Sequence, residues 1–226
     1  MSVFRAFSSV SLKFTFLTKA ACVPAKKFTE MAVTAAKKKL RQDISNALKK
    51  ITTEEKLRQS KKVHERLFNL AEYKKSTRIS LYLSTSDEID TTKILRNIFE
   101  LKKLAFVPRY NGKTMEMVRV SSMEDYESLP LTKWNIKQPT DNDVRENALE
   151  TGGLDLVILP GVAFSLDGKR LGHGMGYYDK FLHSCMEKSH RMPYLIGLAF
   201  NEQIKEDIPT TEEDVNLNLV LTEHYN

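Results

Sequence analysis

Residues 154–179 read LDLVILPGVAFSLDGKRLGHGMGYYD, and the fold class follows from their order. Leu154 to Leu159 is an apolar run stopped by Pro160-Gly161, the pattern of a strand buried on both faces. Such strands belong to parallel sheets covered by helices, which makes the class α/β, and there the chemistry gathers at strand carboxyl ends. Asp167-Gly168 is a turn signal, followed by Arg170 and a loop with Gly172, Gly174 and Gly176 at alternate positions. Tyr178, Phe181, Leu182 and Cys185 then repeat at helical spacing, which predicts a helix over 177–186. Glycines so placed let backbone N–H groups close on an anion at a helix N-terminus, and Arg170 offers a planar fork for phosphate oxygens. A tight strand-to-helix connection without ligand fits the same spacing. There is no Gly-Lys-Ser/Thr ending, so the loop is not a Walker A motif, nor is it the dinucleotide fingerprint. Asp179 reads either as a magnesium-holding carboxylate beside a nucleotide or as an ordinary helix-start acid.

The chain has 226 residues, 41% of them hydrophobic, enough for one sizeable core. No apolar run approaches a membrane span, so no membrane partner is expected. The net charge of +6 suggests nucleic acid until it is located: residues 1–30 carry a net +4, leaving the body at +2. No nucleic-acid partner is expected. The leader, MSVFRAFSSVSLKFTFLTKAACVPAKKFTE, is basic, rich in Ser and Phe, and free of acids until Glu30. That is the composition of an organelle transit peptide, here mitochondrial, or of a disordered tail. Residues 1–30 are therefore set apart from a single domain over 31–226, with a second start at Met31 able to give a cytoplasmic form. Two cysteines, Cys22 and Cys185, exclude a disulfide framework, and the five histidines show no zinc spacing.

Thr34 is the expected cap of a helix to about Lys50, with Ala36, Leu40, Ile44, Ala47, Leu48 and Ile51 as its buried stripe. Lys37 and Arg41 lie one turn apart on it, and taken alone form a solvated basic face. Thr52 to Glu55 is a capping box opening a second helix, with Leu57, Val63, Leu67 and Leu70 inward. RISLYL, 78–83, alternates polar and apolar in a β-rich composition, reads as a strand, and leads through the polar loop 84–90 into a helix over 91–102. Leu104 to Val107 predicts a strand ended by Pro108, and a turn at 109–112 leads into another over 115–120. Tyr110, Met115 and Met117 read there as ordinary strand packing. Residues 194–200 predict a buried strand, 202–214 an acidic loop and 217–221 a short final strand.

LPGVAFSLDGKRLGHGMGYYDKFL resembles the signature of the 5-formyltetrahydrofolate cyclo-ligase family, in which an Arg-Leu-Gly-x-Gly-x-Gly-Tyr-Tyr-Asp loop binds ATP. The likeness extends from about Lys37 to Leu221. It implies a three-layer domain, a central mostly parallel sheet between helices, related to the sugar-isomerase and CoA-transferase superfamily. It also implies ATP-dependent cyclisation of 5-formyltetrahydrofolate to 5,10-methenyltetrahydrofolate by a magnesium-dependent enzyme, with ADP and phosphate released and a monomer expected. By the same resemblance, ATP meets Lys37, Lys38, Lys39, Leu40, Arg41, Arg170, Leu171, Gly172, His173, Gly174, Met175, Gly176, Tyr177 and Tyr178. The folate meets Arg41, Leu83, Glu88, Tyr110, Met117 and Trp134, together with loop residues His173 to Tyr177. Asp179 and Asp214 match the metal-binding acids.

The residues suit those implied roles. A carboxylate such as Glu88 can accept from two pterin N–H groups, and Met with Tyr or Trp suits flat rings. The chain departs from many relatives in carrying His173 and Met175 where a basic residue or glycine is common, and Asn218 where aspartate is frequent. Two rival readings are a sugar-phosphate isomerase or CoA transferase of related fold, and a folate- or nucleotide-binding protein without turnover.

Overall fold

The computed structural model describes residues 25–132 and 136–224. Most of the leader, with Cys22, and Trp134 lie outside the described residues. Helix α1 spans Ala25–Leu48, α2 Thr53–Asn69 and α3 Ala71–Lys75. Strand β1 is Arg78–Leu81, helix α4 Thr92–Glu100, and β2 (Leu104–Asn111) and β3 (Thr114–Val120) form a hairpin before the short helix α5, Met123–Ser128. Then come β4 (Leu156–Leu159), β5 (Ala163–Phe164), β6 (Arg170–Leu171), α6 (Tyr177–Ser189), β7 (Tyr194–Leu198) and β8 (Leu219–Leu221).

The main sheet runs β3-β2-β1-β4-β7-β8, parallel throughout except for β3. It is flanked by helices, as expected of the class: all four residues of β4 are buried, which requires cover on both faces. The chain leaves β1 toward β2 on one side and later returns to β4 on the other. Between β1 and β4 lies the topological switch point, where connections diverge and leave a crevice at the carboxyl ends. Phe164, fully buried on β5, seats the small β5-β6 hairpin against that sheet. Gly161 and Gly197 make room for its ring, since a Cβ at either would come within 2.6 Å of it. No helix among the described residues is long and apolar enough to cross a membrane.

Several expectations need correction. Thr34 is not a cap: α1 begins at Ala25, directly after Pro24 in the sequence, and the Thr34 hydroxyl donates to Glu30 O at 2.9 Å inside it. Nothing between 25 and 34 breaks a helix, and proline is favoured at a helix start. Ala36 is exposed, so the stripe starts at half-buried Leu40 and is fixed by Ile44 and Leu48. Leu57 is exposed, whereas Gln59, Ser60 and His64 turn inward. They do so because neighbouring loops offer backbone partners: Gln59 Oε1 accepts from Asn201 N at 2.9 Å, and His64 Nε2 lies 2.6 Å from Asp90 O.

Strand β1 is buried despite its alternation of polar and apolar residues. It is central, Ser80 is fully buried, and the strand stops at Leu81, releasing Tyr82 and Leu83 from the sheet. Strand β2 runs through Pro108 to Asn111, because its pairing to β1 ends at Phe106 and beyond that only β3 borders it. The β5-β6 pair and α5 were not foreseen from the sequence.

Candidate functional site

A cavity of about 470 Å³ opens at the switch point, within the range of small-molecule sites. The segment after β1 supplies Tyr82, Leu83, Thr85 and Glu88; Pro160 ends β4; and the glycine loop with the start of α6 forms the opposite wall. Of the residues singled out from the sequence, it gathers Leu83, Glu88, Tyr110, Arg170, Gly172, His173, Met175, Gly176, Tyr177, Tyr178 and Asp179, which are far apart along the chain.

Glu88 sits in the loop 84–91. Its Oε2 accepts from Thr85 N at 2.9 Å and from the Thr85 hydroxyl at 3.1 Å, so one carboxylate oxygen is fixed and the other is left for a ligand. The loop is held from below, where the Tyr82 hydroxyl donates to Ile89 O at 2.9 Å and Thr91 Oγ1 to Tyr82 O at 2.7 Å. Across the cavity Tyr110 and Tyr177 meet edge to face, centroids 5.0 Å apart. The Tyr177 hydroxyl donates to Gly112 O at 2.8 Å, tying the β2-β3 turn to α6. Burial pushes Tyr110 up to about 12 and Tyr178 well above the ordinary phenol value, so both hydroxyls keep their protons at neutral pH. The Tyr178 hydroxyl is buried beside that of Tyr110, with which it interacts.

The glycine loop has the backbone that its spacing suggested. Gly174 and Gly176 adopt φ of +106° and +67°, and Gly176 caps α6 with no side chain on the first amides, which leaves those N–H groups for an anion. A Cβ at Gly172 would lie 3.0 Å from an Arg170 nitrogen, so that glycine admits the guanidinium. Arg170 itself is buried, and its fork is already filled. One nitrogen donates to both Asp179 oxygens at 2.9 and 3.0 Å, and the other lies 3.3 Å from Pro160 O. The remaining Nε is buried and unpartnered. The Arg170 fork thus meets Asp179 in this structure, while the residue still lines the cavity.

Helix α1 approaches the loop from outside. Arg41 Nε donates to Gly172 O at 2.8 Å, and Lys37 reaches Asp214 Oδ2 at 2.5 Å. Burial lowers the Arg41 pKa, partly countered by the Asp214 charge. Burial works against ionised Asp214 too, but hydrogen bonds from Lys37 and Thr211 outweigh it and hold its pKa below the usual carboxylate value. Lys38 and Lys39 point away to solvent, since each step along a helix rotates by about 100°. Leu40 packs against the core and Leu171 is buried opposite Ala163, so neither lines the cavity. Met117 is likewise fully buried, paired with Pro108 behind the cavity wall.

Asp179 Oδ1 also accepts the Val215 amide at 3.3 Å, which brings the 214 loop to the start of α6. Among the described residues no three metal-ligating side chains converge. A divalent ion here would rely on one or two carboxylates plus substrate oxygens, as magnesium commonly does. Asp214 fits, because Oδ1 stays clear of the bonds to Oδ2; Asp179 is engaged through both oxygens.

Comparison with known proteins bears on what this cavity serves. The model of a family described as the 5-formyltetrahydrofolate cyclo-ligase family matches residues 33–223. The chain belongs to the 5-formyltetrahydrofolate cyclo-ligase family. Within that cyclo-ligase family it is similar to 5-formyltetrahydrofolate cyclo-ligase of Mus musculus, 45% identical over 85% of this chain and 96% of that one. It is 32% identical to the Arabidopsis thaliana relative named as mitochondrial, over 82% of this chain and 73% of that one. The NMR structure of Aquifex aeolicus 5,10-methenyltetrahydrofolate synthetase superposes with a TM-score of 0.67 at 29% identity, over 83% of this chain and 89% of that one.

Sequence reasoning missed several cavity residues of this cyclo-ligase-family chain: Tyr82, Thr85, Pro108 and Pro160. Tyr82 and Pro160 carried a usable signal, since each directly follows one of the two strands that flank the switch point. Ile136 and Gln138 belong to KWNIKQP, 133–139, the segment that by resemblance lines the slot, and no periodicity marks them.

Proposed function

We propose that this chain catalyses the ATP-dependent closure of 5-formyltetrahydrofolate to 5,10-methenyltetrahydrofolate, releasing ADP and phosphate. One observation carries the reading: a single cavity joins a carboxylate reader and an aromatic pair, suited to a pterin and an aminobenzoyl ring, to a glycine loop flanked by basic residues. The folate lies with its pterin N–H donors on Glu88 and its rings beside Leu83, Tyr110 and Tyr177, with Trp134 assigned to the same slot by resemblance. ATP lies with its phosphates on the amides around Gly174 and Gly176, near Lys37 and Arg41.

The formyl oxygen is a poor leaving group. It attacks the γ-phosphorus of ATP, the bond to ADP breaks, and the oxygen becomes a phosphate ester. N-10 then attacks the activated carbon, its proton is lost, and phosphate departs with the former formyl oxygen. The chain supplies no covalent nucleophile. It aligns N-10 with the formyl carbon, which rigid walls built on strand ends favour, and neutralises phosphate charge through Lys37, Arg41 and the loop amides. Magnesium, held by Asp214 and with Asp179 nearby, supplies further charge neutralisation when bound.

The protein acts as a monomer, its leader directing it to mitochondria and a start at Met31 leaving it in the cytoplasm. The plant relative's name and the leader's composition support the first location. The deciding experiment mixes protein, magnesium-ATP and 5-formyltetrahydrofolate and follows absorbance of the methenyl product. Product formation with stoichiometric ADP is expected; tight folate binding without product would instead mean a binding protein.

A further inference from the structure

The loop that carries Glu88 is tied to helix α2 by three polar side chains that stand outside the cavity. Lys56, Ser60 and His64 fall at every fourth position of α2 and so form one row along it. At one end of the row Lys56 Nζ donates to Asp87 Oδ1 at 2.7 Å and to Ser86 O at 3.1 Å. A turn further on, Ser60 Oγ accepts from Asp90 N at 3.4 Å, and a turn beyond that His64 Nε2 lies 2.6 Å from Asp90 O. The row therefore grips the loop on both sides of residue 88, at 86–87 and at 90. None of the three lines the cavity.

Polar groups are costly at such positions. Ser60 and His64 are buried on a helix face where an apolar side chain would pack without needing a partner. A backbone carbonyl only accepts, so His64 Nε2 carries the proton and the ring is a neutral donor, stacked on Phe68 with centroids 6.1 Å apart. Burial lowers the His64 pKa, which keeps that form at neutral pH. The two ends of the loop are closed separately, where Ser84 N donates to Thr91 Oγ1 at 3.2 Å and Thr91 N to Ser84 Oγ at 3.1 Å. What the row on α2 adds is the position of the stretch between those ends. Of residues 86–90, Glu88 alone lines the cavity.

We propose that Lys56, Ser60 and His64 are positioning residues for the folate: they hold the backbone on either side of Glu88, keep its carboxylate preset at the cavity, and so set the affinity for the pterin without touching it. The proposal rests on the reading of Glu88 as acceptor of the pterin N–H groups. Thr85 fixes Glu88 Oε2, but Thr85 belongs to the same loop and moves with it. The ties to α2, with the bond from Tyr82 to Ile89 O, are what refer the loop to the rest of the domain, since Val63 and Leu67 root that helix in the core. A loop that spends roughly a fifth of its time in the reading position weakens folate binding about fivefold, whereas a folate already bound finds the loop in place. The row thus acts on the folate KM and leaves the chemical step and the nucleotide site as they are.

The test measures initial rates of methenyl formation for the parent, for Lys56→Met and His64→Leu, which lose the donor, and for Lys56→Arg and His64→Gln, which keep one. Either loss raises the folate KM roughly three- to tenfold with kcat and ATP KM within about twofold of the parent, and the donor-keeping variants return toward the parent value. A role in general stability would not produce that split. A double-mutant cycle with Glu88→Ala then decides the route: that substitution alone raises the folate KM, and in its background Lys56→Met adds less than about twofold, because the positioned carboxylate is gone. The proposal is overturned if Lys56→Met leaves the folate KM at the parent value, if its effect multiplies in full with that of Glu88→Ala, or if kcat and ATP KM shift as far as the folate KM. Lys56 lies nearest solvent of the three, so its variants carry the test even where His64→Leu fails to fold. If Glu88→Ala itself leaves the folate KM unchanged, Glu88 is no pterin reader, and the inference falls with that reading. A parent that forms no methenyl product overturns the folate reading of the whole cavity and the inference with it.

Discussion

Arg170 shows most plainly what a residue's neighbours do to its meaning. Beside a glycine loop a guanidinium reads as a phosphate clamp; in the folded chain it is 6% exposed and doubly bonded to Asp179. Removing one member of such a pair leaves the other charge buried, which costs about 3 kcal/mol here, at the lower end of the scale because Asp179 retains some water contact. Arg170→Ala is therefore expected to melt roughly 6–12 °C below the parent, and Arg170→Ala/Asp179→Ala to recover part of the loss. A single variant that melts with the parent would show that the pair does not form in solution. Asp214 behaves differently, since Oδ2 is taken by Lys37 and Thr211 but Oδ1 is not. Asp214→Asn should raise the magnesium concentration needed for half-maximal rate, read from initial velocities at fixed ATP; an unshifted titration would mean that the metal is held by ATP alone. From sequence the two aspartates looked alike. Only the partners distinguish them, and those partners lie up to 177 positions away.

Among the elements, β4, α6 and the loop between them were readable because each rests on a local rule: an unbroken apolar run, a glycine alternation, a helical repeat. Helix α1 was misplaced at its start because Thr34 mimics a cap while bonding backward within the helix. Its ion pair to the domain begins at Lys37 and its core packing at Leu40, so a chain begun at Met31 should melt within about 2 °C of the full chain, given the small contribution of exposed helical turns. A larger drop in a thermal melt would mean that residues before Met31 pack on the domain. Helix α5 depends on a contact that no propensity reports, since Arg145 bonds both oxygens of Asp125 at 2.7 and 2.8 Å. The guanidinium holds the Asp125 carboxyl at about 2, below its ordinary 3.8. A depressed folded-state value adds stability that is complete above the ordinary value and is lost as pH falls toward about 2. Arg145→Met should accordingly be less stable than the parent at pH 7 in urea unfolding, with the gap narrowing between pH 4 and pH 2. A gap constant across that range would remove the pair from the account.

For the whole molecule, the class was legible in one buried strand, whereas the strand order was not. Nothing in residues 78–83 announces that β1 lies at the centre rather than at a solvent-facing position, because its polar residue Ser80 is buried by neighbours that arrive later in the chain. The same dependence on late arrivals governs the site. Lys37 belongs to the first helix and Asp214 lies just before the last strand, while β4, the glycine loop and α6 fall between them. During synthesis the amino end therefore waits at the ribosome for almost the full length of the protein before its lysine meets its aspartate. A chain released early, or cut short by a premature stop ahead of residue 214, leaves Lys37 without its carboxylate and β7 without the strand that borders it. Truncated products should then present a bare sheet edge ready to pair with other chains, and a cell gains by destroying them quickly.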